Sequence, residues 1–191
     1  MRGPRMGGTI VGLVCLCLLG GLMMPNASQA ATAQAIDAGA DKALEQFRSQ
    51  VKGSDELLRG AKGYLVFPEV IQAGIGIGGQ YGEGVLRVGG RSMAYYSIAA
   101  GSIGFQLGAQ RKSILIVFLQ NQALQSFRAK ARTDKAWSVG VDGSVTLLNL
   151  GAQASIDSAT INQPIVGFVF GQAGLMYDLS LQGSKITRLK R

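Results

Sequence analysis

The sequence predicts an α+β fold, in which N-terminal helices pack on a curved, mostly antiparallel, glycine-rich β-sheet or barrel-like core with one inserted helix. Two observations lead to this prediction. Apolar residues between Ile36 and Val51 recur at intervals of three and four, which is the period of an amphipathic helix. After Lys62 the pattern changes to short β-branched and aromatic runs separated by turn residues, and 28 of the 191 residues are glycine.

Three helices are expected from local signals. The first covers residues 36–51, and Gly53 stops it. The second covers residues 54–60, where acidic residues in the first turn favour the helix dipole. The third begins at Asn121, which can cap it, and basic residues follow toward its C-terminal end. This third helix is the one inserted among the strands.

The expected strands are short segments of β-branched, aromatic or alternating apolar residues: 64–67, 70–79, 85–88, 93–98, 103–110, 113–119, 137–141, 144–150, 165–170, 175–181 and 185–189. Pro68 stops the first of them. The expected turns are rich in glycine and polar residues and lie at 82–84, 110–112, 142–143 and 182–184. Short connections of this kind favour antiparallel neighbours.

The start of the sequence has the pattern of a secretory signal peptide. Arg2 and Arg5 supply the positive region, residues 7–24 carry no charge, and Pro25 precedes a run of small and polar residues. A retained membrane anchor fits less well, because the uncharged run is short and rich in glycine. We therefore expect export, to the periplasm or the cell envelope, with secretion as an alternative.

Cleavage of this segment is expected after Ala30 or after Ala33, where small residues occupy the recognition positions. The remaining residues, 31–191, are enough for one domain with a real core. We expect a helical part over residues 35–60 and a β-rich part over residues 63–191. Removing Arg2 and Arg5 lowers the formal net charge from +8 to about +6.

The residue types present exclude several kinds of catalysis. Cys15 and Cys17 lie inside the predicted signal segment, and the sequence contains no histidine. Disulfides, thiolate metal sites, Ser-His-Asp and Cys-His catalysis are therefore excluded for the mature chain. A pair of carboxylates brought together by the fold is the enzymatic alternative that stays open. We expect no enzymatic activity, no metal and no cofactor.

A glycine-rich run, AGIGIGGQYGEGVLRVGG at residues 73–90, contains the G-x-G-x-x-G pattern of a dinucleotide-binding loop. Such a loop must open a helix, and an acidic residue must follow about 20 residues later. Residues 80–84 are poor helix formers, and residues 91–98 contain no carboxylate. The run therefore does not predict a nucleotide site. Its alternating glycines indicate strands that bend or pack closely against other atoms.

Basic residues gather in two places in the β-rich part. The first cluster lies at and beyond the end of the third helix and contains Arg128, Lys130, Arg132 and Lys135. The second cluster closes the sequence and contains Lys185, Arg188, Lys190 and Arg191. Either cluster alone fits a solvated edge. Both together, in an exported protein, favour an anionic membrane surface over nucleic acid as the partner.

Several motifs resemble the SYLF domain family, a lipid-binding domain found in a yeast actin-associated protein and in small exported bacterial proteins. These motifs are AKGYLVFP at 61–68, the glycine-rich run with GGQYGEG at 73–84, GFQLGAQ at 104–110, GFVFG at 167–171 and LQG at 181–183. The resemblance covers about residues 37–191. It implies phospholipid binding through an N-terminal amphipathic segment and a basic surface.

Carried over to this sequence, the amphipathic segment and its junction with the domain contribute five basic residues: Lys42, Arg48, Lys52, Arg59 and Lys62. An exported bacterial protein does not meet actin, so we expect anionic bacterial phospholipid and not actin as the partner. The hypothesis is a non-enzymatic phospholipid-binding protein of the cell envelope. The alternative is a structural protein that self-associates or pairs with an envelope partner through its β-sheet.

Overall fold

The helical part begins with α1, Ala33–Gln50, and α2, Ser54–Gly60. The structure is a computed structural model that describes residues 31–131, 135–149, 156, 158–174 and 180–191. The first helix starts three residues before the predicted position because the Thr32 hydroxyl caps it, accepting the Ala35 N–H at 3.2 Å. Gly53, at a φ of 85°, separates the two helices as predicted.

A single long hairpin dominates the sheet. Strand β1, Gly63–Val88, pairs antiparallel with β2, Arg91–Phe118, along almost its whole length. The turn between them lies at Gly89 and Gly90, both at positive φ. The predicted turns at 82–84 and 110–112 are wrong, because both segments continue the strands. Pro68 does not end β1 either, since it falls where a bulge shifts the register.

The glycine-rich run allows β1 to fold over itself. A Cβ atom built on Gly84 would meet the Val66 carbonyl oxygen and lie 2.6 Å from Phe67 Cδ1. A Cβ atom on Gly82 would lie 2.6 Å from the carbonyl oxygen of Glu69. These glycines therefore permit a close approach between two parts of one bent strand. The G-x-G-x-x-G segment lies within β1 and opens no helix.

Four further strands complete the described sheet: β3, Trp137–Ser138; β4, Thr146–Asn149; β5, Ile165–Gly174; and β6, Lys185–Leu189. Their order is β3-β6-β2-β5-β4, with β1 on β2, and only the β4–β5 pair is parallel. The curved, mostly antiparallel α+β fold is thus confirmed. Most of the predicted strand at 175–181 lies outside the described residues, and residues 180 and 181 are not in a strand.

Alternate residues of β2 face two hydrophobic cores on opposite sides of the sheet. Ile114, Ile116 and Phe118 belong to the first core, whereas Leu115 and Val117 belong to the second. This division means that both faces of the central strand are covered.

The second core lies under α1, whose buried face consists of Ile36, Ala40, Ala43, Leu44 and Phe47. This is the face that the helical period predicts. The ring of Phe47 packs 4.8 Å from that of Phe168 on β5. The apolar side of α1 is therefore occupied by its own domain. No described helix is both long and apolar enough to cross a membrane.

The inserted helix α3, Asn121–Ala131, covers the first core. The ring centroid of Phe127 lies 5.2 Å from that of Tyr96 and 5.5 Å from that of Trp137. Tyr96 on β2 and Trp137 on β3 are therefore residues of the first core. A fourth helix, α4, Ser158–Ile161, has only four residues and was not predicted.

Candidate anion-binding pocket

A shallow pocket lies where α3, β6 and the turn end of the long hairpin meet. Its lining consists of Leu86, Met93, Ala94, Tyr96, Arg128 and Arg188. Two pairings position the arginines. Arg188 on β6 is the cross-strand partner of Tyr96 on β2, and Phe127, the neighbour of Arg128, packs on the Tyr96 ring. The fold therefore joins one arginine from each of the two predicted basic clusters in one site.

The pocket has the size of a small anionic group. Its volume of about 40 Å³ corresponds to roughly three waters at about 10–15 Å³ each. A phosphate fits such a space, and an acyl chain does not. Met93 stands half-exposed beside the arginines, whereas Leu86 is buried beneath them. An apolar rim next to guanidinium groups suits a ligand with a charged head and an apolar remainder.

The electrostatics of the pocket favour an anion. Its lining includes no carboxylate, and neither Arg128 nor Arg188 forms an ion pair with a residue that the structure describes. A guanidinium group presents five N–H donors in a planar fork that matches phosphate oxygens. Two such groups around one cavity can therefore hold a phosphate by several charge-assisted hydrogen bonds.

The predicted basic residues of the helical part lie on exposed surface. Arg48 pairs with Asp55 at 3.0 Å, and Arg59 pairs with Glu56 at 2.9 Å. The other three, Lys42, Lys52 and Lys62, are exposed, and no described carboxylate pairs with them. These five residues do not line the pocket. They leave the helical part with a dispersed positive surface.

The remaining predicted site residues divide into exposed and paired groups. Lys135, Lys185 and Lys190 are exposed, and Arg132 lies outside the described residues. Lys130 pairs with Asp142. Arg191 pairs with Glu83 at 2.8 Å, and their side chains are only 15% and 11% exposed. Arg191 therefore already has a carboxylate partner within the fold.

The Lys130 ammonium group, together with the backbone N–H of Ser138, holds the pKa of the Asp142 carboxyl below its ordinary value of 3.8. The bond from Ser138 spans the turn that precedes β4, and the bond from Lys130 connects α3 to this turn. Lys130 thus joins α3 to this turn, and its charge is partly balanced by Asp142.

Arg87 is the charged residue that sequence reasoning missed. Its guanidinium lies 2.6 Å from Asp41 Oδ1 and 3.8 Å from Asp37 Oδ1, and its side chain is 11% exposed. Asp37 also accepts hydrogen bonds from Ser92 and Tyr95 at 2.7 and 2.8 Å. This network fastens the polar side of α1 to the hairpin. Its partners are far apart in the sequence, so no local signal could have found it.

A second polar group lies inside the sheet, outside the pocket. Lys112 is buried, and its ammonium group donates to Gln72 Oε1 at 2.8 Å. Gln110, the cross-strand partner of Gln72, is also buried, and its side-chain amide makes no hydrogen bond. Among the residues the structure describes, no cluster of metal-binding side chains occurs.

The fold and the pocket together define an α+β protein with a curled mixed sheet and a cationic surface site. Residues 99–191 match the family model described as Ysc84, Las17-binding protein actin regulator. This match confirms the SYLF resemblance over residues 99–191. No curated protein sequence matches the chain.

The matched range contains α3 and β6, and with them both arginines of the pocket. The helices α1 and α2 and the strand β1 lie outside it. The family match therefore covers the cationic side of the pocket, and the hairpin residues Leu86, Met93, Ala94 and Tyr96 precede the matched range.

Proposed function

We propose that the protein is a non-enzymatic phospholipid-binding protein of the bacterial cell envelope. In this proposal the pocket receives the phosphate of an anionic lipid head group between Arg128 and Arg188. The presence of Arg128 and Arg188 in one pocket lining beside Met93, with no carboxylate among the lining residues that the structure describes, is the observation that carries the proposal. The match of residues 99–191 to this family model supports it, because the SYLF resemblance implies phospholipid binding.

The dimensions of the pocket favour binding at the membrane surface. A cavity of about 40 Å³ admits a phosphate group, while the glycerol and acyl chains stay outside in the bilayer. The apolar face of α1 is buried against the sheet, so α1 meets the membrane with its charged side. The dispersed lysines then add long-range attraction, each worth about 1 kcal/mol near an anionic surface.

Co-sedimentation of residues 31–191 with vesicles tests this proposal. We expect binding to vesicles that contain anionic phospholipid, little binding to neutral vesicles, and release as salt shortens the Debye length from about 30 Å at 0.01 M to about 3 Å at 1 M. Equal binding to neutral and anionic vesicles, or binding indifferent to salt, would contradict it.

A second candidate function is self-association or pairing with an envelope protein through the sheet. Ile77 and Ile71 on β1 favour it, because their side chains are 75% and 45% exposed and no described residue covers them. Size-exclusion chromatography with light scattering separates the two functions. A stable oligomer that ignores anionic vesicles would support this second function and count against lipid binding.

A further inference from the structure

We propose that Glu83 and Arg191 form a binding site for the new N-terminus that signal cleavage after Ala30 creates, with the α-ammonium group of Ala31 bound to the Glu83 carboxylate. This inference rests on the proposed export of the protein and is independent of lipid binding. Its ligand is the processed end of the protein's own chain.

The contacts of Ala31 are unusually complete for a residue at the edge of a domain. Its backbone nitrogen donates to Glu83 Oε2 at 3.1 Å, and its carbonyl oxygen accepts from Arg191 Nη1. The other oxygen of Glu83 accepts from Arg191 Nη2 at 2.8 Å and from the Tyr81 hydroxyl at 2.9 Å. Both backbone polar groups of Ala31 are thus held by side chains from distant parts of the sequence.

The two charged side chains of the site are largely shielded from water. The side chains of Glu83 and Arg191 are only 11% and 15% exposed, although both are charged. Charged side chains are seldom this buried without a partner that compensates their charge. Arg191 balances Glu83, and the second oxygen of Glu83 points at the Ala31 nitrogen.

Cleavage strengthens the contact at that nitrogen. Hydrolysis of the Ala30–Ala31 bond by a signal peptidase consumes one water, leaves a carboxylate on Ala30 and leaves an amine on Ala31. An α-amino group has a pKa of about 7.7–8.0, so it is protonated at neutral pH. The neutral N–H of the precursor becomes an ammonium group, so the contact with the Glu83 carboxylate gains the attraction between two opposite charges.

The same contacts distinguish between the two cleavage positions that the sequence allows. Cleavage after Ala33 would remove Ala31 and would leave Glu83 and Arg191 without their backbone partner. It would also remove Thr32, whose hydroxyl caps α1 and whose carbonyl oxygen accepts the Ile36 N–H at 3.0 Å. Cleavage after Ala30 keeps all of these bonds. The structure therefore favours Ala31 as the first residue of the mature protein.

The first test is the intact mass of the protein recovered after expression of the full chain in a bacterium that exports it. The expected mass is that of a chain beginning at Ala31. A chain beginning at Gln34 or at any other residue would overturn the inference while leaving export in place. A chain that keeps residues 1–30 would overturn the inference, and its recovery from the cytoplasm would also count against the proposed export.

The second test measures the protonation of the Ala31 amine in the processed protein. The groups that face it are Glu83 and Tyr81 on β1 and Arg191 after β6, and Arg191 also acts on Tyr95 of β2. Carbon-13 methylation followed by NMR titration measures the pKa of the Ala31 amine. We expect a lower pKa in Glu83→Gln than in the wild type, because the variant removes the carboxylate.

A further measurement compares the melting temperatures of wild type and Glu83→Gln. The matched control is Glu45→Gln, on the exposed side of α1. An amine whose pKa is raised by Glu83 contributes stability below about pH 8, and this contribution is lost as pH rises through the raised value. The difference in melting temperature between wild type and Glu83→Gln should therefore shrink above pH 8, whereas Glu45→Gln should show no such change. An identical amine pKa in wild type and Glu83→Gln would overturn the inference.

Discussion

The basic residues of this protein differ in whether they form an ion pair with a carboxylate of the same chain. Arg48, Arg59 and Arg87 each lie within 4.0 Å of an Asp or Glu oxygen. Arg128 and Arg188 have no such partner among the residues that the structure describes. Because charge-assisted bonds to phosphate need donors that internal acceptors have not taken, these two arginines are the best-placed ligands for an anion.

Substitution of Asp142 by Asn should lower stability in a pH-dependent way. The pKa of Asp142 is held below 3.8 by Lys130 and Ser138, so the carboxylate contributes stability above about pH 4. This contribution is lost as pH falls through the lowered pKa. Thermal unfolding should show wild type more stable than Asp142→Asn at pH 7, with the gap narrowing below pH 4.

The exposed Glu45→Gln on α1 serves as the control for this pH series, since no described cation pairs with Glu45. A gap between wild type and Asp142→Asn that keeps the same size from pH 7 to pH 3 would show that the ion pair with Lys130 does not stabilise the fold.

The elements of the fold depend on a few contacts that join distant segments. Arg87 links the end of β1 to Asp37 and Asp41 on α1, and hydrogen bonds to charged groups are worth about 1.5–3 kcal/mol. We expect Arg87→Ala to lower the free energy of unfolding by about that amount in urea denaturation. Arg48→Ala is the control, because exposed ion pairs contribute about 0–1 kcal/mol. Equal losses in the two variants would refute the special role of Arg87.

The bend of β1 gives a second prediction for an element. A methyl group on Gly84 would collide with Val66 and Phe67, and overpacking costs about 1–3 kcal/mol. Gly84→Ala should therefore destabilise the protein by at least about that amount. In Gly101→Ala the added methyl group meets nothing within 4 Å, so its stability should stay within about 0.5 kcal/mol of wild type. A wild-type melting curve for Gly84→Ala would contradict the close crossing of the strand.

Local sequence signals correctly predicted the elements that depend on capping residues and on the pattern of neighbouring side chains. The second helix and β6 have the predicted bounds, and α3 begins at its predicted cap. The hairpin was predicted as separate strands because glycines and a proline normally mark turns. In this fold Gly82 and Gly84 allow the second half of β1 to lie close to residues 66–70 in its first half. Sequence periodicity contains no information about such a close approach.

The site was predicted only in part for the same reason. Arg128 and Arg188 were both among the predicted lipid-binding residues, but as members of separate clusters. Their meeting depends on the pairing of Tyr96 with Arg188 across β2 and β6. Lys112 shows the reverse error, since a lysine in a polar triplet indicates an exposed turn, whereas here it is buried and bonded to Gln72.

At the scale of the whole molecule, the structure separates a stabilising role for charge from a binding role. The network around Arg87 fastens α1, and the contacts of Arg191 with Glu83 and Ala31 join both ends of the described domain. In the proposed function, the pocket between α3, β6 and the hairpin presents Arg128 and Arg188 to an external anion. In the same proposal, the surplus of about six positive charges on residues 31–191 attracts an anionic surface from a distance.

The affinity of residues 31–191 for anionic vesicles, measured for Arg128→Gln, Arg188→Gln and the double variant, tests the central claim most directly. At about 1 kcal/mol per cation, each single variant should bind roughly fivefold more weakly and the double variant roughly 30-fold. Arg111→Gln is the control, because Arg111 lies outside the pocket and pairs with Glu69, and it should change affinity less than about twofold. Wild-type affinity in the double variant, or an equal loss in Arg111→Gln, would contradict the assignment of the pocket.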